Sequence, residues 1–120
     1  MINHASKRGG GIFRKIEDYV NEVVKNLNPR LVILFGSFAT GDINEGSDVD
    51  ILVVADFEKK FIDRVKKLMD INTFRIPIEP IGYTPKEFDE MGKRRNPFIM
   101  KVMEKGKVMY KLWHFKSVQA

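Results

Sequence analysis

The sequence predicts an α+β domain, a small β-sheet of three to four strands with helices packed on it. Three observations predict it. Residues 31–35 and 51–55 are short, wholly apolar runs of strand length, and segments 12–27 and 58–70 repeat their apolar residues at helical three-and-four spacing. The pairs Thr84-Pro85 and Asn96-Pro97 each place a capping side chain before a proline, the pattern of a helix start. With 120 residues, 43% of them hydrophobic, the chain has material for one compact core and not for two domains of ordinary size.

In chain order, residues 1–11 end in Gly9, Gly10 and Gly11 and are expected to form a flexible arm, because a glycine run is entropically hard to order. Ile12, Phe13, Ile16, Tyr19, Val20, Val23, Val24 and Leu27 then mark an amphipathic helix that Asn28-Pro29 should end. A buried central strand over 31–35 stops at Gly36-Ser37, and a loop with Gly41, Asp42, Asn44, Gly46 and Ser47 leads to a second buried strand with acidic first residues, Asp48 and Asp50. The helix over 58–70 carries Phe61, Ile62, Val65, Leu68 and Met69 on one stripe. A third strand over 76–83 should sit at a sheet edge or pair irregularly, since Pro77 and Pro80 cannot donate ladder bonds. Thr84 and Glu87 fit a capping box for a short helix, a last helix runs from Pro97 to a stop at Gly106, and Val108, Tyr110 and Leu112 alternate as a final short strand. The domain is thus expected over 12–112, with 113–120 as a tail.

The longest apolar runs are far too short to cross a bilayer, and residues 1–11 lack the apolar segment of a secretory leader, so a cytoplasmic chain without a membrane partner is expected. Without cysteine there are no disulfides or thiolate metal sites. A net charge of +5 suits an anionic ligand such as a nucleotide, RNA or an acidic protein face, without choosing among them.

The chemistry concentrates in residues 34–54. A glycine after a buried strand allows a sharp bend and close approach by a phosphate, and Ser37 adds a hydroxyl and an amide where a helix could start, with free N–H groups that attract anions. Ten residues later, Asp48 and Asp50 occupy alternate positions of a strand, which project to one side about 7 Å apart. Two carboxylates facing a triphosphate would repel it unless a hard divalent cation such as magnesium neutralises both. An Asp-x-Asp pair or a Gly-Ser turn alone is commonplace. Their conjunction, with two apolar strands and a loop-length spacer, points to a site.

The stretch LFGSFATGDINEGSDVDILVV, about a fifth of the chain, resembles the signature of the polymerase-beta nucleotidyltransferase superfamily, and the spacer and short length resemble its minimal nucleotidyltransferase branch. The resemblance implies a small mixed sheet with helices packed on it. It also implies Gly36 and Ser37 on the triphosphate, and Asp48 and Asp50 on two magnesium ions and the nucleotide, with ATP or another nucleoside triphosphate as substrate. A third carboxylate on a following strand completes that metal set in the family. Glu79 is the candidate, as the only acid in the third strand and one costly to place there without a partner. Two positions depart from the pattern: Glu79 stands where an aspartate is common, and Thr40 where many minimal relatives have an arginine.

The reaction implied is transfer of a nucleoside monophosphate, AMP from ATP, to a hydroxyl on another molecule, because so short a chain leaves little for acceptor recognition. Relatives of this branch are commonly encoded beside a helical partner of the HEPN class, which the transferase modifies as the antitoxin of a toxin–antitoxin pair. The alternative is a catalytically weak nucleotide- or RNA-binding module that retains the fold. A structural subunit, docking through methionines and Trp113 onto another chain or a second copy of itself, is the third reading. His4 and His114 have no second ligand at metal-binding spacing. Trp113 and Met91, Met100, Met103 and Met109 are expected to fill core edges or contacts, and Lys93, Arg94 and Arg95 to form a solvated basic loop.

Overall fold

A computed structural model of the chain describes residues 11–116. Helix α1 (Gly11–Leu27) buries Ile16, Tyr19, Val20 and Val23, the stripe its spacing predicts. It ends where Asn28 adopts a left-handed conformation with φ 48° and Pro29 follows. Strand β1 (Leu31–Phe35) comes next, then a single helical turn, α2 (Ser37–Thr40), between Gly36 and Gly41. Strand β2 (Val49–Val54), helix α3 (Phe61–Ile71) and strand β3 (Ile78–Tyr83) form a crossover unit, and α4 (Pro85–Lys93), α5 (Pro97–Lys105) and β4 (Lys107–Lys111) complete the order.

The four strands form one mixed sheet in the order β3-β2-β1-β4, with β1 antiparallel to both β2 and β4 and β3 parallel to β2. The parallel pair requires a crossover, and α3 is that crossover. Apart from Asp50, both central strands are apolar on both sides because both faces of the sheet are covered. On one face α1 and α3 pack over Val32, Leu34, Val49, Ile51 and Val53, and on the other α4 and α5 bring Phe88, Ile99 and Val102 onto Leu31, Ile33, Leu52 and Val54.

Local chemistry sets the ends of the later helices. Thr84 Oγ1 accepts from the Glu87 backbone N–H at 3.1 Å while Glu87 Oε1 accepts from the Thr84 N–H at 2.8 Å, the reciprocal capping box expected from sequence. Asn96 Oδ1 accepts from the N–H groups of Phe98 and Ile99 ahead of Pro97. The Tyr19 hydroxyl donates to the Leu68 carbonyl at 2.9 Å and ties α1 to α3, and burial of that phenol pushes its pKa up.

Three expectations need correction. β3 starts at Ile78 rather than 76, after Pro77, whose carbonyl accepts from the Val49 N–H. α3 starts at Phe61 rather than 58, and only Leu68 of its expected core stripe is buried; Phe61, Ile62 and Met69 are 45%, 64% and 48% exposed. The buried position beside Leu68 goes to Arg64, whose guanidinium pairs with Glu87 through Nη1–Oε1 at 2.6 Å and Nη2–Oε2 at 3.2 Å and also donates to the carbonyls of Lys59 and Gly82. Of the two places expected for Trp113, a core edge or a contact with another chain, the first is excluded because it is 89% exposed, whereas Met91, Met100, Met103 and Met109 do pack on the two cores as expected. The arm expected over 1–11 lies outside the described residues except for Gly11, which opens α1.

Candidate active site

The site begins with strand register. Phe35 of β1 is paired with Asp50 of β2, and Asp50 with Glu79 of β3, so the three form one row across the sheet. Residues directly opposite one another in paired strands share a face. Here it is the face covered by α4 and α5, whose core reaches Phe35 but leaves the two acids at its edge. Glu79 is exposed and Asp50 half-buried.

Asp50 is where the row meets the glycine bend. Gly36 has φ 72° and ψ −155°, a conformation that L side chains rarely adopt, and a Cβ placed there would overlap the Asp50 carboxylate. Glycine is therefore required at 36 twice over, for the turn and for room beside the acid. Burial pushes the Asp50 pKa from its ordinary 3.8 up to about 6, followed by the charge of Glu79, a hydrogen bond shared between the two carboxyls, and the charge of Asp48. Two like-charged groups in contact hold a proton between them because both cannot ionise cheaply.

Asp48 lies one residue ahead of β2, exposed, and is the weakest of those four influences. Among the described residues no three His, Cys, Asp or Glu side chains converge closely enough to enclose a metal ion. The structure thus joins Asp50, Glu79 and Gly36 and leaves Asp48 at the entrance to the row. The donor set fits a hard divalent cation: adjacent carboxylates that repel each other when ionised are what such a cation relieves.

Two clefts meet at this row and share Phe35, Asp50 and Phe98. The Phe35 and Phe98 rings pack edge to face at 5.5 Å between centroids. The first cleft, about 550 Å³, has Gly36 and Ser37 at the bend, with Thr40, Asp42, Lys101 and Lys105 around it. The second, about 490 Å³, contains Glu79, and its walls are Phe61, Val65, Met69, Ile78, Pro80 and Ile81. This accounts for the α3 stripe: its period is helical as expected, but part of that face borders a cleft rather than the core.

Sequence reasoning missed Phe98, Lys101 and Lys105. Their spacing with Val102 puts them on one face of α5, a visible signal, but nothing in the sequence brings α5 to the glycine bend. Lys93, Arg94 and Arg95 are exposed at the end of α4 and line neither cleft. His114 lies with Arg30, Lys86 and Lys116 around a separate depression.

An acidic row, a glycine bend and an open cleft on a mixed sheet define a site suited to phosphoryl-group chemistry. The chain matches the family described as the nucleotidyltransferase domain over residues 14–109. It is 34% identical over 100 residues, 81% of this chain and 96% of the relative, to a Methanocaldococcus jannaschii protein named a putative protein adenylyltransferase. A second protein of that organism, given the same description, is 40% identical over 85 residues, covering 66% of this chain and 56% of the relative. A crystal structure of a putative nucleotidyltransferase from Sulfolobus solfataricus shares the fold, with a TM-score of 0.60 over 90% of this chain and 87% of that one at 23% identity. The chain belongs to the nucleotidyltransferase domain family, and it is a transferase of nucleotidyl groups. The resemblance read from residues 34–54 holds for most of the chain. No helix among the described residues is long and apolar enough to cross a membrane.

Proposed function

We propose that this nucleotidyltransferase moves AMP from ATP to a hydroxyl of a partner protein, with Asp48, Asp50 and Glu79 holding magnesium and Gly36 and Ser37 receiving the triphosphate. The pairing of Asp50 with Glu79, against a glycine that leaves room for nothing but the acid, carries this reading. Names of two relatives as protein adenylyltransferases favour ATP and a protein acceptor. The resemblance of residues 34–54 to minimal nucleotidyltransferases favours a HEPN-type helical partner, with this chain as the antitoxin.

In the proposed reaction the acceptor oxygen attacks the α-phosphorus in line. The bond from that phosphorus to the bridging oxygen breaks, pyrophosphate leaves, and the hydroxyl proton passes to a carboxylate of the row or to solvent. Two magnesium ions, when bound by the three acids, supply charge neutralisation and lower the pKa of the attacking hydroxyl. The protein's own part is placement. Phe35 and Phe98 keep the row at the junction of the clefts, so a nucleotide tail at Gly36 and an acceptor entering beside Glu79 meet at Asp50.

The test is incubation of the chain with magnesium, α-labelled ATP and a HEPN-type helical protein as acceptor. Label should move to that protein, and Asp48→Asn or Glu79→Gln should abolish the transfer. Transfer that survives both substitutions would overturn the assignment of the acids, and ATP binding without transfer would support a binding module.

A further inference from the structure

Lys101 and Lys105 lie four residues apart on α5 and both line the cleft at Gly36 and Ser37. Side chains at this spacing are neighbours, and two like charges there disfavour the helix by a few tenths of a kcal/mol. Lys105 recovers some of that from its place in the last helical turn, where a cation suits the dipole, whereas Lys101 is too early to gain from it. Among the described residues neither is in an ion pair with an acid. The charges facing them across the cleft are Asp42 and Asp50. Without the lysines this cleft would present two negative charges to an incoming anion.

The end of α5 is also held in place. A Cβ at Gly106 would stand 2.7 Å from Ile33 Cγ2 and 3.2 Å from the Leu34 carbonyl, so the turn carrying Lys105 is pressed onto β1 two residues before the glycine bend. Buried Ile99 and Val102 fix the rotation of the helix and leave Phe98, Lys101 and Lys105 toward the opening.

We infer that Lys101 and Lys105 bind the β- and γ-phosphates of the nucleoside triphosphate and then the departing pyrophosphate, an inference that rests on the transferase reading above. When the bond between the α-phosphorus and its bridging oxygen breaks, negative charge grows on the leaving pyrophosphate. Cations fixed on the opposite wall favour that change.

The experiment measures binding of ATP, AMP and inorganic tripolyphosphate, each with magnesium, to the full chain by calorimetry. In the Lys101→Ala, Lys105→Ala double variant, affinity for ATP and tripolyphosphate should fall about thirtyfold to a hundredfold, the loss of two charge-assisted contacts. AMP affinity should change less than about threefold. Lys101→Arg with Lys105→Arg should restore polyphosphate binding, which a packing defect would not allow. Unchanged ATP affinity in the alanine variant, or equal losses for ATP and AMP, would overturn the inference. Binding of neither polyphosphate by the wild-type chain would overturn it as well. If the alanine variant loses polyphosphate affinity but the wild type never transfers label, the assignment of the lysines to the β- and γ-phosphates stands, while the leaving-group role and the transferase reading fail. If label transfer is normal and the alanine variant binds ATP like the wild type, the transferase reading stands and the assignment of the lysines fails.

Discussion

Two charged clusters lie three residues apart along β3, and they are built in opposite ways. At Gly82, the Arg64 guanidinium meets the backbone carbonyl and both oxygens of Glu87, whose pKa is held below the carboxylate range first by the hydrogen bond to Arg64. At Glu79, one carboxyl faces another, and the pKa of Asp50 is pushed up by burial and by that neighbour. Opposite charges with their hydrogen bonds filled hold the loop after β2, α3 and α4 together. Like charges side by side contribute nothing to the fold. They are kept in register by the apolar strands, and in the proposed function a bound cation would relieve their repulsion. The first cluster serves structure, and in the proposed function the second serves chemistry.

The sharpest way to break this contrast is to neutralise one member of each cluster. Asp50→Asn should lower transfer at least about a thousandfold, since an acid next to the reacting phosphate carries several kcal/mol of transition-state stabilisation, while its melting temperature at pH 7.5 should not fall. Arg64→Ala should do the reverse. It removes the ion pair to Glu87 and the donors to the Lys59 and Gly82 carbonyls, and should destabilise the fold by about 2 kcal/mol in chemical denaturation, with transfer per folded molecule within about twofold of the parent. An Arg64 variant that folds normally but transfers nothing would merge the two clusters into one.

Gly36→Ala probes the seam between bend and row. The positive φ alone costs about 1 kcal/mol, and displacing the Asp50 carboxylate adds to that. We expect transfer to fall by about tenfold or more, and a fully active variant would show that the close approach at Gly36 is dispensable.

The smallest expected effect is on stability against pH. With a pKa of about 6 in the folded chain against an ordinary 3.8, Asp50 holds its proton in the folded state where an unfolded chain has released it. The cost of its charge is therefore absent below about pH 4, grows as pH rises toward 6 and is complete above it. Since Asp50 is partly open to solvent, that cost is about 1 kcal/mol after screening. Asp50→Asn should accordingly stabilise the protein at pH 8 and not at pH 4, and equal melting temperatures at pH 8 would show that ionised Asp50 carries no cost in the folded chain.

Much of the fold was legible because its signals are local. Helical spacing over 12–27, apolar runs at β1 and β2, the Thr84–Glu87 box and Asn96-Pro97 depend on residues close in sequence, and each produced the element expected. The site was legible in part. Gly36, Ser37, Asp48 and Asp50 lie on one continuous stretch, and Glu79 followed from being the acid of a strand expected beside β2. The α3 stripe misled because periodicity reveals that a helix has an apolar face, not whether the core or a cleft lies opposite.

The sequence by itself determined the element order, the two buried central strands, the glycine bend and the family, since these follow from short-range sterics and burial. Only the tertiary structure decided that Glu79 stands in register with Asp50, that Asp48 remains at the edge of the row, and that Phe98, Lys101 and Lys105 close on the glycine bend. Those contacts join segments far apart in the chain, and their geometry is set by strand register and helix packing, which no single segment encodes.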